Sequence, residues 1–196
     1  MGKGTCTAAL VAALLLGVSG GSAGAAETVL GGGFARDCQL AAERAADQRS
    51  IDDKDVLACN LAVETQSLTR RDLAATFVNR GILSLSRKSY DTALKDFDAA
   101  IDLAPNLGGA YANRGAALIA EGQPAQGIAE IDHSLALGGP EPEKSYFNRA
   151  LAREELGDVK GAYFDYLEAA QLKPSWSEPA RELARFKVTR PHEVSG

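Results

Sequence analysis

The tripeptide Asn79-Arg80-Gly81 returns as Asn113-Arg114-Gly115 and again as Asn148-Arg149-Ala150, at spacings of 34 and then 35 residues. Self-similarity at a period of this size marks a chain assembled from stacked supersecondary units, none of which buries its apolar face alone. Behind each copy come an apolar stretch, a polar turn and a second, amphipathic stretch. In the first copy that second stretch places Ala93, Phe97, Ala100 and Ile101 at i, i+4, i+7 and i+8, which is one face of a helix. The third copy repeats the face with Ala162, Tyr166, Ala169 and Ala170, and the second carries Gly127, Ile131, Ser134 and Leu135 in the same register. Pro105 and Pro174 follow the second stretch of copies one and three, whereas Gly138-Gly139-Pro140-Glu141-Pro142 accounts for the extra residue after copy two. Gly122-Gln123-Pro124 and Gly157-Asp158-Val159 mark the turn inside copies two and three, and Lys88-Ser89-Tyr90 occupies it in copy one. Each copy therefore reads as a helix hairpin.

From Asp72 to Pro174 this layout resembles the tetratricopeptide repeat family. The resemblance implies an all-α fold, a right-handed superhelical solenoid of antiparallel helix pairs with an N-terminal helical hairpin and a C-terminal capping helix. The family expects small, bulky aromatic and small residues on the second helix, which Ala93, Phe97 and Ala100 supply, as do Ala162, Tyr166 and Ala169. Gly81 and Gly115 would let paired helices approach closely. Copy two departs with Gly127 and Ile131; because Gly costs about 1 kcal/mol relative to Ala in a helix interior, its second helix is expected to be the least stable. In every copy the arginine meets an acid 16 positions later: Arg80 and Asp96, Arg114 and Glu130, Arg149 and Asp165. Salt bridges that set the register of paired helices are expected there.

Outside the repeats, Lys3, an apolar run from Ala8 to Val18 and the small residues Ala23-Gly24-Ala25 read as a secretory signal peptide over residues 1–25. About 11 apolar residues rise only about 16 Å as a helix, short of the roughly 30 Å hydrocarbon core, so no membrane insertion is expected after cleavage. Residues 26–71 then form a linker and a degenerate helix pair, 72–106, 107–142 and 143–175 the three repeats, and 176–196 a capping helix and tail. Helices are expected over Ala35 to Ala46 and Asp53 to Thr65, where Cys59, Ala62 and Val63 mimic Phe97, Ala100 and Ile101. Once the leader with Cys6 is gone, Cys38 and Cys59 remain, an even number in an oxidising compartment. Pairing is expected, the alternative being two buried thiols that only pack. Trp176 reads as the packing anchor of the cap.

A net charge of −5, with Lys and Arg scattered, argues against nucleic acid. No nucleophile elbow, phosphate loop or H-E-x-x-H motif is present, and His133 and His192 have no further ligands at metal spacing, so no catalytic residue, metal or cofactor is expected. Glu154 and Glu155 read as solvated helix charges. What remains is the wall lined by the first helix of each pair, where Asn79, Asn113 and Asn148 lie in register. In tandem-repeat families of this kind, asparagines so placed grip the backbone of an extended peptide, each offering a donor and an acceptor; bonding to neighbouring helices is the other role open to them. Val78, Ile82, Ala112, Ala116, Phe147 and Leu151 would make the floor mildly apolar. Some relatives clamp a terminal carboxylate, but only Asn113 and Lys144 match, with Val78, Ile82 and Asn148 at the other positions. The expectation is a protein- or peptide-binding scaffold of the periplasm or extracellular space. A self-associating structural homo-oligomer, or an accessory subunit of a cell-envelope enzyme, is the alternative.

Overall fold

The structure, a computed structural model, describes residues 33–46, 50–65 and 67–186. The expected signal peptide, His192 and the tail from Thr189 lie outside the described residues. Those described form helices α1 (Phe34–Ala46), α2 (Asp53–Thr65), α3 (Arg70–Ser86), α4 (Tyr90–Leu103), α5 (Gly108–Ala120), α6 (Pro124–Ala136), α7 (Pro142–Glu155), α8 (Val159–Leu172) and α9 (Ser177–Leu183), with no strand among them. Each odd helix from α1 to α7 packs on the even helix that follows, each even helix packs on the next odd one, and α1, α3, α5 and α7 also touch in succession. The fold is thus an all-α solenoid whose first helices form one wall.

Local chemistry sets the helix ends. Thr69 caps α3, its hydroxyl accepting from the Asp72 N–H, and the Asp158 carboxylate does the same for the Gly161 N–H of α8. Arg70 closes the other end of the first repeat: its guanidinium donates to the Leu103 carbonyl at 2.8 Å and the Asp102 carbonyl at 3.2 Å, two acceptors that the end of α4 leaves without helical partners. The turn inside each repeat needs a left-handed residue. Gly122 at φ 89° and Gly157 at φ 83° supply it at no steric cost, and Lys88 at φ 60° takes the same place in repeat one.

Inside each pair a large side chain of the second helix fills the space against a small residue of the first. Phe97, Ile131 and Tyr166 are all fully buried. A Cβ added to Gly81 would stand 2.5 Å from the Phe97 ring, so that glycine is required by packing. Gly127 has a packing role that helix propensity alone does not reveal. Its own Cβ would lie 2.5 Å from the Ile119 side chain and 2.8 Å from the Gly115 carbonyl oxygen, so the residue that weakens α6 in isolation is what lets α6 reach α5. The extra residue after repeat two has a similar cause, since Gly139 lies against the backbone of Gly108 at the start of α5.

At the two ends the pattern changes. The α1–α2 pair is joined by a Cys38–Cys59 disulfide, and both cysteines are fully buried. Beyond repeat three, Trp176 packs on Phe147 with ring centroids 4.9 Å apart, and Phe186 meets Tyr163 and Tyr166 at 5.6 and 6.0 Å, so that α9 and its flanks cover the last pair.

Candidate binding face

The tripeptides place two kinds of side chain in register, and the structure sends them to opposite tasks. Arg80 donates to both carboxylate oxygens of Asp96 at 3.0 and 2.7 Å, Arg149 to both of Asp165 at 2.9 and 2.7 Å, and Arg114 twice to one oxygen of Glu130 at 3.1 and 2.7 Å. Each guanidinium also reaches back to the preceding pair: Arg80 to Asn60 at 3.2 Å, Arg114 to Asp98 at 2.7 Å, Arg149 to Asp132 at 2.5 Å. An aromatic ring lies under each one, Phe77, Tyr111 and Tyr146, 5.3, 5.4 and 5.1 Å from the guanidinium carbon. The arginines are therefore rungs between successive helix pairs. Arg149 is held above the usual arginine pKa by the hydrogen bond to Asp165, against the effect of burial and with help from Asp132. For Arg114 burial is the larger influence and opposes the charge, but Glu130 and Asp98 together outweigh it and raise the pKa.

The backward acceptors were not singled out from the sequence. Their signal is there: Cys59-Asn60, Phe97-Asp98 and Ile131-Asp132 occupy one register, and Phe77, Tyr111 and Tyr146 repeat at 34 and 35 residues.

The asparagines sit deep. Asn79, Asn113 and Asn148 are 5%, 0% and 2% exposed, and in each an amide atom is buried without a hydrogen-bond partner: Oδ1 of Asn79, Oδ1 of Asn113 and Nδ2 of Asn148. Asn113 donates one Nδ2 hydrogen to the Gly109 carbonyl one turn back, at 2.8 Å, and its Oδ1 has no partner. Among the apolar neighbours, Val78, Ile82, Ala112, Ala116 and Phe147 are buried and Leu151 half-buried. Val78 and Ile82 belong to one continuous cluster with Cys38 and the α1 alanines, and Phe147 stacks edge-on to Tyr166 at 5.2 Å. Lys144 is paired with Glu141 at 2.7 Å.

Side chains that could imitate catalytic groups have structural partners here. Glu154 accepts from the Tyr166 hydroxyl at 2.7 Å and pairs with Arg185 at 3.1 Å. His133 lies edge-on to Tyr111 at 4.3 Å. Among the described residues no group of three or more His, Cys, Asp or Glu could hold a metal ion, and no helix is long and apolar enough to cross a membrane.

A stacked array of helix pairs with a repeated small–large–small face is the class that fold and site define, and comparison gives that class its name. Residues 143–175 match the tetratricopeptide repeat family model. The "Protein STIP1 homolog" of Dictyostelium discoideum is 33% identical over 118 residues, 59% of this chain and 21% of that protein. The chain thus spans about a fifth of the length of that curated relative. Among solved structures, the first TPR of Spaghetti (RPAP3) bound to HSP90 peptide SRMEEVD superposes with a TM-score of 0.54 at 24% identity, covering 57% of this chain and 88% of that one. The Arabidopsis OM64 TPR domain gives 0.56 at 23% over 60% and 96%, and the MamA RS-1 ArsTM double mutant 0.59 at 18% over 79% and 83%. The third helix pair thus matches a tetratricopeptide repeat, and the array as a whole has the fold of tetratricopeptide repeat domains.

Proposed function

We propose that this protein is a non-catalytic scaffold that binds an extended segment of another polypeptide along the wall formed by α1, α3, α5 and α7. The observation that carries this reading is the line of three asparagines, each nine-tenths buried or more and each with an unpaired amide atom. Such an orphaned group costs on the order of 1–3 kcal/mol. A peptide backbone recovers that cost, since its N–H groups suit Asn79 and Asn113 Oδ1 and its carbonyls suit Asn148 Nδ2. Because the amides are covered, binding includes a small parting of the wall, after which Ala112, Ala116 and Leu151 flank the guest. That a structural neighbour was solved bound to a peptide supports a peptide as the guest. The test is affinity for a panel of unstructured peptides. Replacing Asn79, Asn113 and Asn148 together by Ala should weaken binding at least tenfold while helicity is kept; unchanged affinity ends the groove reading.

The site of action in this proposal is the periplasm or the extracellular space. Support comes from the leader-like residues 1–25 and from a disulfide, a bond that persists in oxidising compartments. N-terminal sequencing of the protein recovered from the envelope fraction should begin at residue 26 or 27. An uncut chain confined to the cytoplasm would refute export.

A second reading, self-association, is favoured by large apolar side chains left in solvent at both ends of the array: Leu57 at 52%, and Leu156, Val159 and Phe164 at 54%, 58% and 54% exposure. Light scattering over a hundredfold concentration range separates the two, because a partner-free dimer would favour it.

A further inference from the structure

The Cys38–Cys59 bond occupies the position that a large side chain fills in every repeat. Phe97, Ile131 and Tyr166 wedge apart and lock their helix pairs, but Cys59 stands at that register in α2, and the buried residues around the bond within the pair are Ala35, Ala41, Ala42, Ala45 and Ala62. Two sulfurs do the work of a ring. Without the bond, the fully buried contacts of the two 13-residue helices would be alanine methyl groups, with the half-buried Ile51 and Val56 beside them, and helices of that length are marginal unless packing supports them. The Cys38 sulfur also lies 4.0 Å from the Thr76 carbonyl of α3, so the bond sits where the pair docks on the first repeat. Docking on the first repeat is apolar, with Cys38, Ala41, Ala42 and Ala45 in one core with Ala74, Val78 and Ile82, and its polar ties are few. Arg80 finds the neutral Asn60 in α2 where Arg114 and Arg149 find Asp98 and Asp132, and Arg87 at the end of α3 adds an ion pair with the exposed Asp53.

From these observations we infer that the Cys38–Cys59 bond is a redox latch, whose cleavage by a dithiol reductant undocks α1 and α2 from α3 while the three repeats stay folded. In the reaction a thiolate of the dithiol attacks one sulfur of the bond to form a mixed disulfide. Its second thiol then displaces the protein sulfur, closing the reductant's own disulfide. Two electrons and two protons end on Cys38 and Cys59. Because both sulfurs are fully buried, the reductant meets them only after a transient opening, and the latch resists brief exposure. What undocking uncovers is an apolar face of α3, including Ala74, Val78 and Ile82, which now share one core cluster with Cys38, Ala41, Ala42 and Ala45. The inference does not depend on what occupies the wall.

Hydrogen exchange on the full chain, compared with and without dithiothreitol, tests it. Reduction should speed amide exchange in α1 and α2 at least a hundredfold, leave α5 to α8 within twofold, and raise the fluorescence of a hydrophobic dye. The C38S/C59S chain should show the same pattern without reductant, and reoxidation of the wild-type chain should restore protection. Unchanged protection of α1 and α2 in the reduced or substituted chain would overturn the latch, since the bond would be a passive brace. Equal loss across α5 to α8 would overturn it too, because the bond would then hold the whole solenoid.

Discussion

Gly115 and Gly127 face each other so closely that a Cβ on either would stand 2.9 or 2.8 Å from the other's carbonyl oxygen. Backbone against backbone cannot yield as a flexible side chain can. Gly127→Ala should therefore destabilise the protein by about 1–3 kcal/mol through overpacking, although alanine gains about 1 kcal/mol by helix propensity. Urea unfolding measures the balance, and a chain made more stable by the substitution would refute the packing role.

Asn60 is the one neutral acceptor in the arginine ladder. Asn60→Asp should strengthen the joint between α2 and α3 by roughly 0.5–1 kcal/mol, the range of a partly exposed charged pair, and the gain should shrink in high salt. Thermal unfolding of Asn60→Asp alone and combined with Arg80→Ala forms a double-mutant cycle; a coupling of zero would mean the rung carries no energy.

Tyr166 predicts an alkaline limit. Burial first, and the hydrogen bond to Glu154 second, push its phenol well above the ordinary tyrosine value near 10. Above pH 10 the unfolded chain therefore loses this proton and the folded chain keeps it. The unfolded state then binds fewer protons, so stability falls as pH rises, whereas below pH 10 the contribution is fully present. Tyr166→Phe should flatten the loss between pH 10 and 11.5 by about 1 kcal/mol per pH unit. Parallel slopes for the two chains in denaturant titrations would contradict this.

Trp176 is half-buried over Phe147. Trp176→Ala should cost about 2 kcal/mol, below the usual 3–5 kcal/mol for a fully buried large aromatic. The loss should be local. Exchange in α7 and α8 should accelerate more than in α3 and α4, and a uniform change along the chain would count against a capping role.

What the sequence made legible follows from what repeats. The period exposed the helix pairs and the arginine–acid partners, because both recur at constant spacing. The backward acceptors were harder to see, since Asn60, Asp98 and Asp132 precede their arginines by 20, 16 and 17 residues. Depth was harder still. Asparagine is mostly a surface residue, and nothing in the order of residues announces that Asn113 is sealed by its neighbours. The need for Gly127 was hidden for the same reason: propensity is a property of one helix, whereas a clash belongs to two.

The ladder also carries a direction. Each rung takes one acid from its own pair and one group from the pair before it, and the register that holds Asn60, Asp98 and Asp132 is occupied in α8 by Leu167. An arginine arriving from a further repeat would meet a hydrocarbon there. The third pair can thus receive support but cannot pass it on, which makes the array a sentence with its full stop written into α8.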